Sequence, residues 1–221
     1  GMRELQAVIF DLDGVLASTV ELHYLATKRV ADEENLLFTR ETNQKFQGMT
    51  RESLINELVR GCSSREYSLL EKQQLGERKN IYYKDLIAKL TEKDVLPGMQ
   101  NFLLELKEHS IKMAIASASS NAEVVLQNLG IRSFFEVVVD VKKVQRMKPN
   151  PEIFLAAAHG LGVSTVNCAA IEDSEAGITA IKQTDMFSIG VGYERAVRNA
   201  DWHVHHTEEI TFQALTKRFY E

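Results

Sequence analysis

Val8-Ile9-Phe10-Asp11-Leu12-Asp13-Gly14-Val15 decides the fold. Three apolar residues with strong strand preference run into two acidic residues separated by a leucine, and a glycine follows at once. The pattern predicts a buried strand ending in paired carboxylates. In a parallel sheet, residues just past the carboxyl end of a strand face the crevice in which open α/β folds bind ligands, so Asp11 and Asp13 are candidate site residues. Gly14 permits a sharp turn behind them.

Outward from this strand the chain divides by periodicity. From 18 to 90, apolar residues recur at helical spacing, charge density rises and β-branched runs disappear. Helices are predicted over 20–34, 39–46, 50–60 and 64–87, with a break over 61–64. From Val95 onward, helix and strand alternate: helix 98–109, strand 112–116, helix 120–129, strand 135–139, helix 151–158, strand 168–171, helix 174–183 and strand 187–191, the last clear one. This alternation specifies an α/β fold with a doubly wound, Rossmann-like parallel sheet joined by right-handed crossovers. The all-helical block reads as an inserted cap. The expected division is an α/β catalytic core over 1–17 and 91–221 and a helical cap domain over 18–90.

Composition narrows the partners. With 221 residues, 44% of them apolar, the chain can bury a full core, and a formal charge of -5 without any long basic run argues against nucleic acid. No apolar run is long enough to span a bilayer, and Arg3, Glu4 and Gln6 interrupt any signal-peptide core. Cys62 and Cys168 make no disulfide framework. The expectation is a cytoplasmic monomer acting on a small molecule.

Two carboxylates as close as Asp11 and Asp13 repel unless a cation or a shared proton stabilises them, and oxygen donors suit Mg²⁺. Beside such a cation one carboxylate can attack phosphorus while the other moves a proton on or off the leaving or attacking oxygen. Asp11 is the candidate nucleophile and Asp13 the candidate general acid/base. An acidic strand end that caps a helix or holds a structural cation is the plainer alternative. A calcium loop fits poorly, since Leu12 and Val15 to Ala17 lack its oxygen ligands.

Further strand ends carry Ser117 and Ser119, then Lys148, then Glu172 and Asp173. Singly, each has an ordinary reading as a turn hydroxyl, a solvated lysine or acids at a helix N-terminus. Together, at one edge of a parallel sheet, they meet what a phosphoryl group requires: a nucleophile, a metal, hydroxyl and backbone donors, and a cation. Asp11, Asp13, Glu172 and Asp173 form the candidate metal set, with Mg²⁺ as the expected cofactor. In the helical block, Arg51 follows Gly48 at a predicted helix start, where backbone N–H groups and a guanidinium can receive an anion together. His203, His205 and His206, with no cysteine or carboxylate at ligand spacing, are expected to be ordinary surface rather than a metal site.

Asp11-Leu-Asp13-Gly14-Val15, Ser117 within Ala116-Ser-Ala-Ser119, Lys148-Pro149 and Ile171-Glu-Asp173-Ser-Glu-Ala-Gly177 stand in order along the chain. On these runs the sequence resembles the haloacid dehalogenase superfamily of aspartate-nucleophile phosphotransferases. Within it the chain is similar, nearly end to end, to the β-phosphoglucomutases, including Gln47-Gly48-Met-Thr-Arg51-Glu-Ser53 and Arg78-Lys79-Asn80. The resemblance implies a cycle in which phosphorylated Asp11 passes its phosphoryl group to a hydroxyl of a glucose phosphate and a sugar bisphosphate turns round. It implies phosphate binding by Ser117, Ala118, Ser119, Asn121 and Lys148. His23, Gly48, Arg51 and Lys79 would hold the sugar and its far phosphate. A sugar-phosphate phosphatase, with water in place of the sugar hydroxyl, is the alternative within the superfamily. Two positions depart from the mutase pattern: Ser120 stands where a basic residue is expected before the asparagine, and Thr27 where a tryptophan is expected four residues after the histidine.

Overall fold

The computed structural model describes residues 2–62 and 65–221. In chain order the regular elements are β1 (Ala7–Phe10), α1 (Thr19–Glu33), α2 (Arg40–Phe46), α3 (Arg51–Cys62), α4 (Leu69–Ile87), α5 (Met99–Glu108), β2 (Lys112–Ile115) and α6 (Ala122–Asn128). They continue as β3 (Val137–Val138), α7 (Glu152–Leu161), β4 (Cys168–Glu172), α8 (Glu175–Lys182), β5 (Phe187–Val191), β6 (Trp202–Val204) and α9 (Phe212–Phe219). The strands form one parallel sheet in the order β3-β2-β1-β4-β5-β6.

β1 lies in the middle because its side chains are apolar on both sides. Val8 and Phe10 enter one packed cluster with Phe102, Leu106, Leu215 and Phe219, whereas Ala7 and Ile9 enter another with Ile153, Phe154 and Ile181. A period of two thus feeds two cores. Crossovers leave β1 toward β2 and β4 toward β5, so the strand order reverses between β1 and β4. A crevice opens there at the carboxyl ends of the strands.

The helices from α1 to α4 have a separate core, in which Tyr24, Val30, Leu54, Ile55, Leu58 and Leu75 meet. Its base is not independent: Ala26, Tyr83 and Ile87 join the cluster of Val8 and Phe10. Among the described residues no helix is long and apolar enough to cross a membrane.

Several local expectations change. The strand expected over 135–139 shrinks to Val137–Val138, because Phe135 turns inward to meet the Phe10 ring edge-on at 5.7 Å. Helix α6 starts at Ala122 rather than 120. Ser117 Oγ accepts from Ser119 N–H and Ser119 Oγ from Asn121 N–H, both at 3.1 Å, which holds residues 117–121 as a turn. The break expected over 61–64 runs onto residues 63 and 64, which lie outside the described residues, and α3 continues through Cys62. Strand β6 and helix α9 extend the core beyond the last strand expected.

Candidate active site

The turn after β1 places Asp11 and Asp13 over the crevice. Gly14 takes a φ of +78°, a left-handed conformation open to glycine. Across the crevice β4 ends in Glu172, and Ser174 Oγ caps α8 by accepting from Gly177 N–H at 3.1 Å. Asp173 is held between the two. Asp11, Glu172 and Asp173 each offer a carboxylate oxygen, and these oxygens lie within 4.8 Å of one another.

Lys148 enters beneath this group. Its buried ammonium donates to Asp11 Oδ1 at 3.2 Å, to Glu172 Oε2 at 2.5 Å and to the carbonyl of Ala116 at 2.9 Å. Three carboxylates therefore face one cation. Burial raises the Asp11 carboxyl well above its ordinary value; Glu172 adds to this and Lys148 opposes it. Asp173 is raised likewise, by burial first and then by Glu172 and Asp13. Burial would lower the Lys148 ammonium, but Asp11 and Glu172 outweigh it and hold its pKa above the usual lysine value. An all-oxygen cluster carrying surplus negative charge fits a hard divalent cation.

Asp13 turns away from that cluster. Its Oδ1 accepts from the Thr19 hydroxyl and lies 3.3 Å from His23 Nε2, while His23 Nδ1 is 2.9 Å from the Lys79 ammonium. An ammonium can only donate, so Nδ1 accepts and the imidazole is neutral with its proton on Nε2, directed at Asp13. Burial and Lys79 both favour that neutral form. Burial would raise the Asp13 carboxyl, but His23, Thr19 and Lys79 together hold it at about 2. Asp13, expected in the metal set, is not among the three carboxylates grouped above, and its Oδ1 is engaged by Thr19 and His23 of α1.

The remaining candidates line a cavity of about 940 Å³ between the sheet edge and the helices α1–α4. Asp11, Asp13, Ala118, Ser119, Asn121 and Asp173 face it from the sheet side; His23, Gly48, Arg51 and Lys79 face it from the helical side. Ser117 and Lys148 lie buried behind that wall. Gly48, at a φ of +85°, brings the loop between α2 and α3 down onto the sheet side: a Cβ there would stand 3.6 Å from Ser174 Oγ and 3.7 Å from Lys148 Cδ. Arg51 opens α3 and reaches across the cavity, its Nη1 donating to Ser120 Oγ at 3.2 Å. Asn121 Nδ2 donates to Asn80 Oδ1 at 2.8 Å beside it.

Sequence reasoning missed three participants. Thr19 anchors Asp13. Tyr83 stacks on His23 with ring centroids 3.9 Å apart and fixes the plane of the imidazole. The Ala116 carbonyl takes one proton of Lys148. Thr19 and Tyr83 follow no motif, Ala116 opens a motif run without its carbonyl standing out in it, and only the helical spacing from Lys79 to Tyr83 hinted that Tyr83 shares its face. Thr27 is fully buried and outside the cavity lining, its hydroxyl without a partner among the described residues. The position packs helices rather than facing a sugar. The three histidines form no metal-ligating group among the described residues. His203 Nε2 lies 2.7 Å from the Gly192 carbonyl, and Tyr193 stacks on His205.

A carboxylate trio on a buried lysine, at the reversal point of a parallel sheet and roofed by helices, is an arrangement that comparison with known proteins can place. Residues 8–191 match the model of the haloacid dehalogenase-like hydrolases. The chain belongs to this haloacid dehalogenase-like family. Within the family it is 45% identical to a β-phosphoglucomutase of Bacillus subtilis (strain 168) over 212 residues, covering 96% of this chain and 94% of that one. It superposes on a β-phosphoglucomutase crystal structure from Clostridium difficile with a TM-score of 0.94 at 37% identity, covering 97% of both chains. A phosphorylated carbohydrates phosphatase of Thermotoga maritima is 28% identical over 180 residues, 80% of this chain and 81% of that one.

Proposed function

We propose that this protein interconverts β-glucose 1-phosphate and glucose 6-phosphate through an aspartyl-phosphate on Asp11 and a sugar bisphosphate. One observation carries the reading. A nucleophile-and-cation site at the sheet edge and a separately held carboxylate, Asp13, open into one cavity whose opposite wall carries Arg51 and Lys79. A phosphate on each end of a sugar has a place to go.

In this reading Asp11 attacks phosphorus, and the leaving oxygen takes from Asp13 the proton that this otherwise ionised carboxylate gained in the other half of the cycle. In the other half of the cycle Asp13 removes the proton of a sugar hydroxyl as that oxygen attacks the phosphoaspartate. Lys148 offsets charge on the phosphoryl oxygens, with the Ser117 and Ser119 hydroxyls and the Ala118 N–H, beside Asn121, as further donors. Gly48, Arg51, Lys79 and His23 hold the sugar and its far phosphate. Asp11 and Asp173 would bind Mg²⁺ directly, and Glu172, committed to Lys148 and Ser174, would support them as an acceptor. When bound, the ion supplies charge neutralisation for the nucleophile and the phosphoryl oxygens. The catalytic set comes from one chain, which supports a monomer, and the free Cys168 thiol suits a cytoplasmic setting.

The test is incubation with β-glucose 1-phosphate, Mg²⁺ and a catalytic amount of glucose 1,6-bisphosphate, following glucose 6-phosphate against free phosphate. Glucose 6-phosphate is expected to dominate. Release of phosphate alone would overturn the reading in favour of a sugar-phosphate phosphatase.

A further inference from the structure

Where a cation is expected at position 120 this chain has a serine, and the hydroxyl is in use. Ser120 Oγ accepts from Arg51 Nη1 at 3.2 Å, a contact that crosses the cavity from the turn before α6 to the first residue of α3. Glu52 and Glu77 also line the cavity, yet Arg51 forms no ion pair with either among the described residues. Its charge is therefore held by a neutral acceptor. Lys79 lies on the same wall, near enough for Arg51 to oppose protonation of its ammonium, so the two cations repel. An acceptor on the sheet side keeps the guanidinium over the cavity against that repulsion. The stem is steadied too, since a Cβ on Gly76 would stand 3.7 Å from Arg51 Cγ.

We propose that Ser120 is a positioning residue for Arg51. It seats the guanidinium beside the turn of Ser119 and Asn121 without neutralising it, so that one arginine anchors the non-transferring phosphate. A guanidinium carries five N–H donors, and a bond through one nitrogen leaves a fork free for a phosphate. A lysine or arginine at 120 would bind phosphate itself but would repel Arg51. A serine trades that second charge for placement of the first.

The inference rests on the reaction proposed above, and a double-mutant cycle tests it. Ser120→Ala, Arg51→Ala, the double variant and Ser120→Thr are assayed for KM and kcat with β-glucose 1-phosphate, and for calorimetric affinity toward glucose 1,6-bisphosphate. Ser120 is exposed, so the alanine variant is expected to fold, which a melting curve checks. Ser120→Ala should raise KM and weaken bisphosphate binding roughly three- to tenfold, as expected for losing one solvent-exposed hydrogen bond of ordinary net strength. The threonine hydroxyl should restore most of this. In the Arg51→Ala background the Ser120→Ala change should have no effect, because the serine acts through the arginine. Additive losses, or unchanged affinity in Ser120→Ala, would overturn the proposal. If the wild-type protein fails to form glucose 6-phosphate, the proposed reaction falls, while the calorimetric arm still decides whether the serine and the arginine act together.

Discussion

Asp11 and Asp13 are two residues apart and live in opposite electrostatic settings. Asp11 shares a surplus of negative charge that its single lysine does not cancel; Asp13 is ringed by donors. Acetyl phosphate separates the two roles, because its leaving group needs no proton. Asp13→Asn should still acquire a phosphoryl group from acetyl phosphate, detected by mass, yet lose at least about a hundredfold in sugar turnover, the usual worth of a positioned acid/base. Asp11→Asn should acquire none. The raised carboxyls of Asp11 and Asp173 also fix the sign of a second outcome: bound Mg²⁺ must displace protons, so its affinity should fall as pH is lowered. Calorimetric titrations in buffers of different ionisation heat would detect the released proton. Lys79 gives a third, since burial first, with Arg51 adding and Asp13 opposing, brings its pKa to about 8. Above that pH the cavity loses a cation, and KM for the sugar phosphate should rise. Folding responds in the other direction: between about 8 and the unfolded value of roughly 10.4, the unfolded chain holds more protons, so stability rises with pH across that window. Lys79→Gln should flatten both profiles.

The elements explain why some of this could be read from residue order and some could not. The carboxylates sit at or just past strand ends, and a buried parallel strand announces itself by an apolar run that stops at a polar residue, as Val8 to Phe10 stop at Asp11; Lys148 instead reaches in from the turn before α7, ten residues beyond β3. Sheet topology then brings such ends together. Thr19, Tyr83 and the use made of Ser120 depend instead on how α1, α3 and α4 seat against the sheet, which no periodicity encodes. Strand β6 is three residues long with His203 at its centre, too short and too polar to show a strand pattern. Helix α9 has its apolar residues Leu215 and Phe219 at helical spacing, but only eight residues in which to show it. Helix α8 carries a sharper constraint. A Cβ on Gly177 would stand 1.9 Å from the Glu172 carboxylate carbon, so Gly177→Ala must push Glu172 off Lys148. A loss of about 1–3 kcal/mol in urea unfolding is expected from that overpacking, together with a fall in kcat that Gly61→Ala, a position with nothing within 4 Å, should not show.

At the scale of the molecule, the cavity is walled by the sheet edge and by helices α1–α4, which meet across it through few polar contacts. Besides Arg51 with Ser120, Asn121 with Asn80, and Thr19 and His23 with Asp13, Gln44 Nε2 donates to Glu194 Oε1 at 2.8 Å and Asn128 Nδ2 to the Ile87 carbonyl at 3.0 Å. A ligand with a phosphate at each end would touch both walls at once and add to this sparse seam. Glucose 1,6-bisphosphate with Mg²⁺, at about a hundred times its dissociation constant, should stabilise the folded chain by about 2.7 kcal/mol, or roughly 5–10 °C in Tm. Glucose 1-phosphate, with one phosphate, should give a smaller shift at equal concentration. Equal shifts would mean that the second phosphate finds no anchor.

The chain enters and leaves its helical block through one doorway. Leu96 N–H bonds the Leu16 carbonyl at 2.8 Å, and Ala17 bridges to Asp13 on one side and to Val95 on the other. The entering post, at Ala17, therefore touches the backbone of Asp13, and the leaving post, at Val95, touches Ala17. A rotation of the helical block about this doorway would therefore be felt at Asp13 through Ala17, which stands between Asp13 and Val95.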